Sequence, residues 1–174
     1  MTDFGIDRPR EDEYPPYFGK YIELVAGNDV MGVLRGQIAH SLETLRAISD
    51  EGSLKRYAES KWSLREVVGH MIDTERIMAY RALRAARADA TPLSSFDQDA
   101  YIAAAGFDLR DWTGLLEEFD AVRRTTVMLF AALDAAAWGR RGVAGGKEIT
   151  PRALAFIIAG HEAHHMRIVR ERYL

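Results

Sequence analysis

Apolar residues recur along this chain at helical spacing. Between about residues 28 and 49, Val30, Val33, Leu34, Ile38, Leu42, Leu45 and Ile48 fall three or four apart and make one stripe. Asn28 or Asp29 can cap this helix, and Asp50-Glu51-Gly52-Ser53 ends it. A second helix is predicted over about 64–87. It opens on Ser63-Leu64-Arg65-Glu66, a capping box with Ser at the cap and Glu three residues on. A third is predicted over about 109–133 behind Asp108, with Leu115, Leu116, Phe119, Val122, Val127 and Phe130 inside. The fourth is predicted over about 151–173. Thr150 is its cap, and Pro151 takes the first helical position, where a missing N–H costs nothing. No strand pattern competes, and neither a repeat nor a low-complexity tract interrupts the series.

Four amphipathic helices of about 20–25 residues predict an all-α fold, a four-helix bundle over residues 19–174. Residues 1–18 read as an irregular N-terminal arm. Pro9, Pro15 and Pro16 forbid a continuous helix there, the charges resist burial, and Tyr14, Tyr17, Phe18 and Tyr21 are the residues to pin it. The connection from Ala88 to Asp108 is about 20 residues long. In a compact domain that length marks a functional loop or a crossover.

Composition narrows the function classes. The chain has 174 residues, enough for one domain with a core, and its 48% hydrophobic and 28% charged content is that of a soluble globular protein. Lys plus Arg number 23 against 26 Asp plus Glu, a net charge of -3, which argues against a nucleic-acid partner. With no cysteine there can be no disulfide, cysteine-ligated zinc, iron–sulfur cluster or cysteine nucleophile. Met1 to Pro16 holds no apolar stretch of signal-peptide length, and the longest apolar runs fall far short of the roughly 20 residues that span a bilayer. No membrane association is expected, and the expected compartment is the cytoplasm.

The chemistry sits in histidines. Three of the five lie in Gly160-His161-Glu162-Ala163-His164-His165. On a helix His161 and His165 are i and i+4 and share a face, whereas His164 turns away. Leu154, Ile157, Ile158 and Ile168 lie on or near that face, which aims the pair at the bundle interior. Unpaired imidazoles in a core are costly, and a metal, carboxylate partners or a wet pocket would satisfy them. His70, in Val67-Val68-Gly69-His70-Met71-Ile72, is the candidate third ligand. Both His70 and His161 follow a glycine within a helix, which costs roughly 1 kcal/mol against alanine and asks for a reason such as close backbone approach. His70 lies about 10 Å into its helix, and the His161–His165 pair about 15 Å from the end of its own. The levels match better if those two helices run antiparallel, so a metal site favours a crossover at 88–108. Three imidazoles with open positions suit a catalytic zinc, nickel, iron or copper ion. His161-Glu162-Ala163-His164-His165 also fits the H-E-x-x-H pattern, with Glu162 as base, but the pattern is short and no longer protease signature follows. His40, beside Leu42, reads as structural.

Several of these segments together resemble the DinB/YfiT-like superfamily. They are Lys61-Trp62-Ser63-Leu64-Arg65-Glu66-Val67-Val68-Gly69-His70, then Asp73-Thr74-Glu75-Arg76, Tyr80-Arg81-Ala82-Leu83-Arg84, Phe96-Asp97-Gln98-Asp99 and Gly160-His161 to His165. The resemblance runs from about residue 20 to the end. It implies an up-down-down-up four-helix bundle, often a homodimer, with one divalent metal ion, zinc or nickel, on His70, His161 and His165. It implies a small-molecule substrate and a transferase using a low-molecular-weight thiol on an electrophile. The alternatives are a hydrolase with metal-bound hydroxide, as other members are described, and a non-catalytic binding bundle. Arg81, Asp97, Glu162 and His164 are the candidates to contact substrate or to support the ligands from behind. Arg81 would hold an anionic group, and Asp97 would orient a ligand histidine.

Overall fold

The structure, a computed structural model, describes residues 6–174. In chain order the helices are α1 (Gly19–Ile22), α2 (Val30–Arg46), α3 (Asp50–Ser53), α4 (Leu64–Ala86), α5 (Gln98–Ala105), α6 (Trp112–Ala131) and α7 (Ala135–Trp138). Strands β1 (Gly142–Ala144) and β2 (Lys147–Ile149) precede α8 (Pro151–Ile168). The four long helices are those the apolar spacing predicts, trimmed at their ends. Asp29 caps α2 by accepting from the Gly32 N–H at 2.8 Å. Ser63 and Glu66 form the expected reciprocal box on α4, and Thr150 caps α8 with Pro151 behind it.

Helix directions follow from pairings across the bundle. Along α2, Gln37 donates to the Ala159 carbonyl and Ser41 to Glu162, so α2 and α8 run parallel. Arg123 of α6 donates to the Leu34 carbonyl and the Trp112 indole to that of Ile48, so α2 and α6 run antiparallel. On α4 and α6, Leu64–Ile72 cluster with Trp112–Val122, while Met78 and Ala82 cluster with Phe130, which makes this pair parallel. The bundle is therefore up-down-down-up. The chain must return along the length of α4, about 34 Å, before starting α6. The 88–108 segment makes that return, and it is not bare loop. It carries α5 and a 3₁₀ turn, Phe107–Leu109.

That turn displaces the predicted cap of α6. Asp108 is taken by Ser63 and Arg56 at the start of α4, so α6 begins three residues later behind Asp111, which accepts from the Gly114 N–H at 2.6 Å. At the other end of the chain the α-helix stops at Ile168 and widens into a π-turn, Val169–Tyr173. The wider turn brings the Tyr173 hydroxyl to the Trp62 carbonyl at 2.6 Å and its own carbonyl to the Lys55 amine at 2.7 Å. The β1–β2 hairpin contradicts the expectation of no strands. Three-residue strands are too short to show alternation, and the signal was the Gly145-Gly146 turn, with φ of 58° and 73°.

The arm is held by charge as well as by aromatics, against the expectation that its charges resist burial. Glu13 is buried and accepts from Thr150 and Arg152, tying the arm to the start of α8. Arg8 donates to the Ile22 and Val25 carbonyls. Residues 1–5 of the arm lie outside the described residues.

The core is divided. One apolar cluster joins Leu42, Leu45, Met71, Ile72, Leu115, Phe119 and Met166; the other joins Leu34, Met78, Phe130, Leu154, Phe156 and Ile157. Between them every long helix contributes polar side chains at one level: Ser41, Thr74 and Glu75, Arg123, and His161 and Glu162, all buried.

Candidate metal centre

Two helices build the site. α4 presents His70 and α8 presents His161 and His165 one turn apart. Their Nε2 atoms converge: His70 to His161 is 3.0 Å and His165 to His161 is 3.1 Å, and the three ligand atoms all lie within 4.8 Å of one another. The glycines before two of them are explained by close approach, though of neighbouring segments and not of the pocket. A Cβ on Gly160 would sit 1.9 Å from the Tyr21 carbonyl oxygen of α1, and one on Gly69 would sit 2.5 Å from the Phe107 ring.

The cluster cannot satisfy itself. A neutral imidazole nitrogen carries either one proton or one in-plane lone pair, never both. The Nε2 of His161 faces two other imidazole nitrogens at hydrogen-bond distance and can bond to only one. Protonation is no remedy. Burial, helped by the charge of His164, pushes His70 down to about 4. Burial, then the neighbouring His165 and His70, pushes His161 well below its ordinary value, and His165 follows for the same reason. Three neutral imidazoles with converging nitrogens are the donor set of a divalent transition-metal ion. Two ligands at about 2.0–2.1 Å from zinc at a tetrahedral angle would stand about 3.3 Å apart, close to the separations seen. The residues present fit such an ion.

The polar level behind the histidines adds to that fit. Arg123 is buried and makes a two-pronged pair with Glu75, at 2.8 and 2.9 Å. It also lies 2.6 Å from Glu162, whose other oxygen accepts from Ser41. Two carboxylates about one guanidinium leave a formal charge of minus one next to His161, which a cation at the triad would offset. Glu75 stands beside Arg76 in sequence, yet its partner is Arg123 of α6, 48 residues on, which only the tertiary fold brings near. The same network removes Glu162 from the role of base, because its carboxylate faces Arg123 and Ser41.

In front of the histidines opens a cleft of about 400 Å³. His70 and His161 lie at one end, Arg81 and Lys147 also line it, and Tyr17, Phe18 and Phe96 supply aromatic wall. Arg81 thus stands where a substrate group can reach it. His164 does not join the triad; its half-buried ring packs 5.4 Å from Tyr21 and 5.1 Å from His165. Asp97 was expected to orient a ligand histidine. Instead its carboxylate caps α5, accepting from the Asp99 and Ala100 N–H groups. His40 is exposed and bonds within its own helix to the Gly36 carbonyl. Tyr21, one of the aromatics expected to pin the arm, sets its ring 5.3 Å from that of His161, a contact across 140 residues that no local pattern announces.

Relatives bear on this geometry. No curated protein sequence matches the chain. The chain is similar to the solved structure of YfiT from Bacillus subtilis, described as a probable metal-dependent hydrolase with an unusual four-helix bundle topology. The TM-score is 0.71 at 18% identity, covering 97% of this chain and 92% of that one. At that identity the likeness speaks for the fold, and the fold is the parallel α4–α6 arrangement traced above. The profile of the DinB superfamily matches residues 7–169, which takes in the arm, the crossover and all three converging histidines, and the chain belongs to that superfamily.

Proposed function

We propose that His70, His161 and His165 hold one divalent metal ion, zinc or nickel, and that the cleft in front of it is the active site of a metal-dependent enzyme acting on a small molecule. The observation that carries the reading is the His161 nitrogen, which faces two imidazole nitrogens and can bond to only one of them. Three protein ligands leave a position for substrate or cosubstrate, as in catalytic sites. When bound, such an ion lowers the pKa of a coordinated water or thiol and so supplies a nucleophile at neutral pH.

The chain's own groups define the rest. Burial keeps the three imidazoles neutral, ready to ligate. Thr74, 3.4 Å from the Nδ1 of His70, and Trp62, whose ring lies 4.8 Å from that of His70, fix the ring's orientation. Among the described residues no carboxylate lines the cleft, so none of them can act as a carboxylate base toward a coordinated water. A thiol is far more acidic than water to begin with and needs such a base less, so we assign the reaction to transfer of a low-molecular-weight thiol onto an electrophile. Hydrolysis is the second reading, favoured by the description of the YfiT relative.

The test is to load purified protein with zinc or nickel and measure the metal retained. The loaded protein is then assayed with a thiol and monochlorobimane, and separately with p-nitrophenyl acetate without thiol. Metal- and thiol-dependent conjugation is expected. Ester turnover alone would give the second reading. Failure to retain either metal would overturn both.

A further inference from the structure

Arg81 is more than nine-tenths buried, and among the described residues no carboxylate lies within ion-pair distance of it. Of its five N–H donors, one reaches an oxygen, the Ser94 carbonyl at 2.8 Å, and one points to the Met78 thioether at 3.8 Å. The Phe96 ring lies 5.8 Å from the guanidinium carbon. Every other buried arginine has a carboxylate or several carbonyls to meet: Arg123 has Glu75 and Glu162, and Arg65 has Asp50 together with the Asp108 and Arg110 carbonyls. A buried guanidinium left without a countercharge is expensive unless something else supplies one.

Its place in the fold says what. His70, Thr74, Met78 and Arg81 are spaced four, four and three along α4, which puts them on one face, and all four line the cleft. Eleven residues separate the two ends, about 16 Å along the axis. Lys147 of β2 adds a second positive charge to the lining, and among the described residues neither Asp nor Glu lines it, in a chain whose acids outnumber its bases. The cleft thus has a metal-ligating end, an apolar and aromatic middle, and a cationic end too far from the histidines for one small group to touch both.

Resting on the metal-site reading above, we propose that the cleft selects elongated, amphipathic anions. A carboxylate, sulfonate or phosphate head is bound by Arg81 with help from Lys147, an apolar body lies along Met78 and Phe96, and the reacting end is presented to the histidines. Arg81 is then a specificity-determining residue.

The experiment uses naphthalene-2-sulfonate and its neutral counterpart naphthalene-2-sulfonamide as probes, titrated calorimetrically into metal-free and zinc-loaded protein. The sulfonate should bind one to one and at least tenfold tighter than the sulfonamide, the size of a lost charge-assisted hydrogen bond. Arg81→Gln should close that gap and Arg81→Lys should restore part of it, with zinc content unchanged in both. His165→Ala should lose zinc yet still bind the sulfonate, so failure of the metal site and failure of the anion site read out separately. Equal binding of the two probes by the unmodified chain, or sulfonate binding undiminished in Arg81→Gln, would overturn the proposal. If Arg81→Gln does not fold, the probe ratio on the unmodified chain and on Arg81→Lys decides it.

Discussion

Acid should destabilise the metal-free protein well before its carboxylates titrate. Unfolding returns His70 to water, where its ordinary value is near 6.5, while in the fold it is held at about 4. A depressed histidine contributes stability that is whole above pH 6.5 and is lost as pH falls toward the folded value, because only the unfolded chain takes up the proton. Integrated from pH 7.5 to 5, His70 alone accounts for about 2 kcal/mol. His161 and His165, pushed down by the same burial, add in the same direction. Against a typical stability of about 5–15 kcal/mol the loss is large. Urea denaturation of EDTA-treated protein at pH 7.5, 6.5, 5.5 and 5 measures it, and His70→Gln should flatten the slope by one histidine's share. Most carboxylates titrate below this window, so they do not mimic the effect. A stability that stays level between pH 7.5 and 5 would refute the claim that the three rings are buried and neutral.

Three other outcomes are expected. His165→Ala should abolish retention of zinc or nickel, while His40→Ala, at an exposed position bonded to its own helix, should leave metal content unchanged, as read by elemental analysis. Arg123→Met should cost about 3–5 kcal/mol in chemical denaturation, because it leaves Glu75 and Glu162 buried together without their cation. Gly160→Ala should cost about 3 kcal/mol, since the new methyl meets the Tyr21 backbone, lowering Tm by roughly 6–12 °C; Gly36→Ala, with open space around it on α2, should stabilise by about 1 kcal/mol.

The long helices and the His161–His165 pair were legible because both are written in local spacing. The stripe from Val30 to Leu45, the Ser63–Glu66 box and the four-residue step from His161 to His165 each fit within one element. Even the antiparallel α4–α8 pairing could be inferred from levels along two helices. What escaped were features made by residues far apart in sequence. Glu13 reads as a solvated arm charge until Thr150 and Arg152 are seen beside it. Glu162 reads as a candidate base, and Glu75 carries no local signal, until Arg123 arrives from α6 to meet both. Asp108 reads as the cap of α6 and Asp97 as the support of a ligand histidine, until the crossover gives Asp108 to Ser63 and Arg56 and makes Asp97 the cap of α5. The β1–β2 hairpin and α5 are too short to carry a period.

The polar level at mid-height acts as a notch that sets where each rod stops. Sliding α8 by one turn, about 5.4 Å, would carry Glu162 away from Arg123 and Ser41 and into hydrocarbon. An uncompensated charge there costs several kcal/mol, far more than small gains from repacking aliphatic groups. The vertical offset between α4 and α8 is therefore locked by ionic chemistry on one flank, and the imidazole cup on the other flank inherits that alignment. An incoming cation meets donors already assembled, and little of its binding energy is diverted into arranging them.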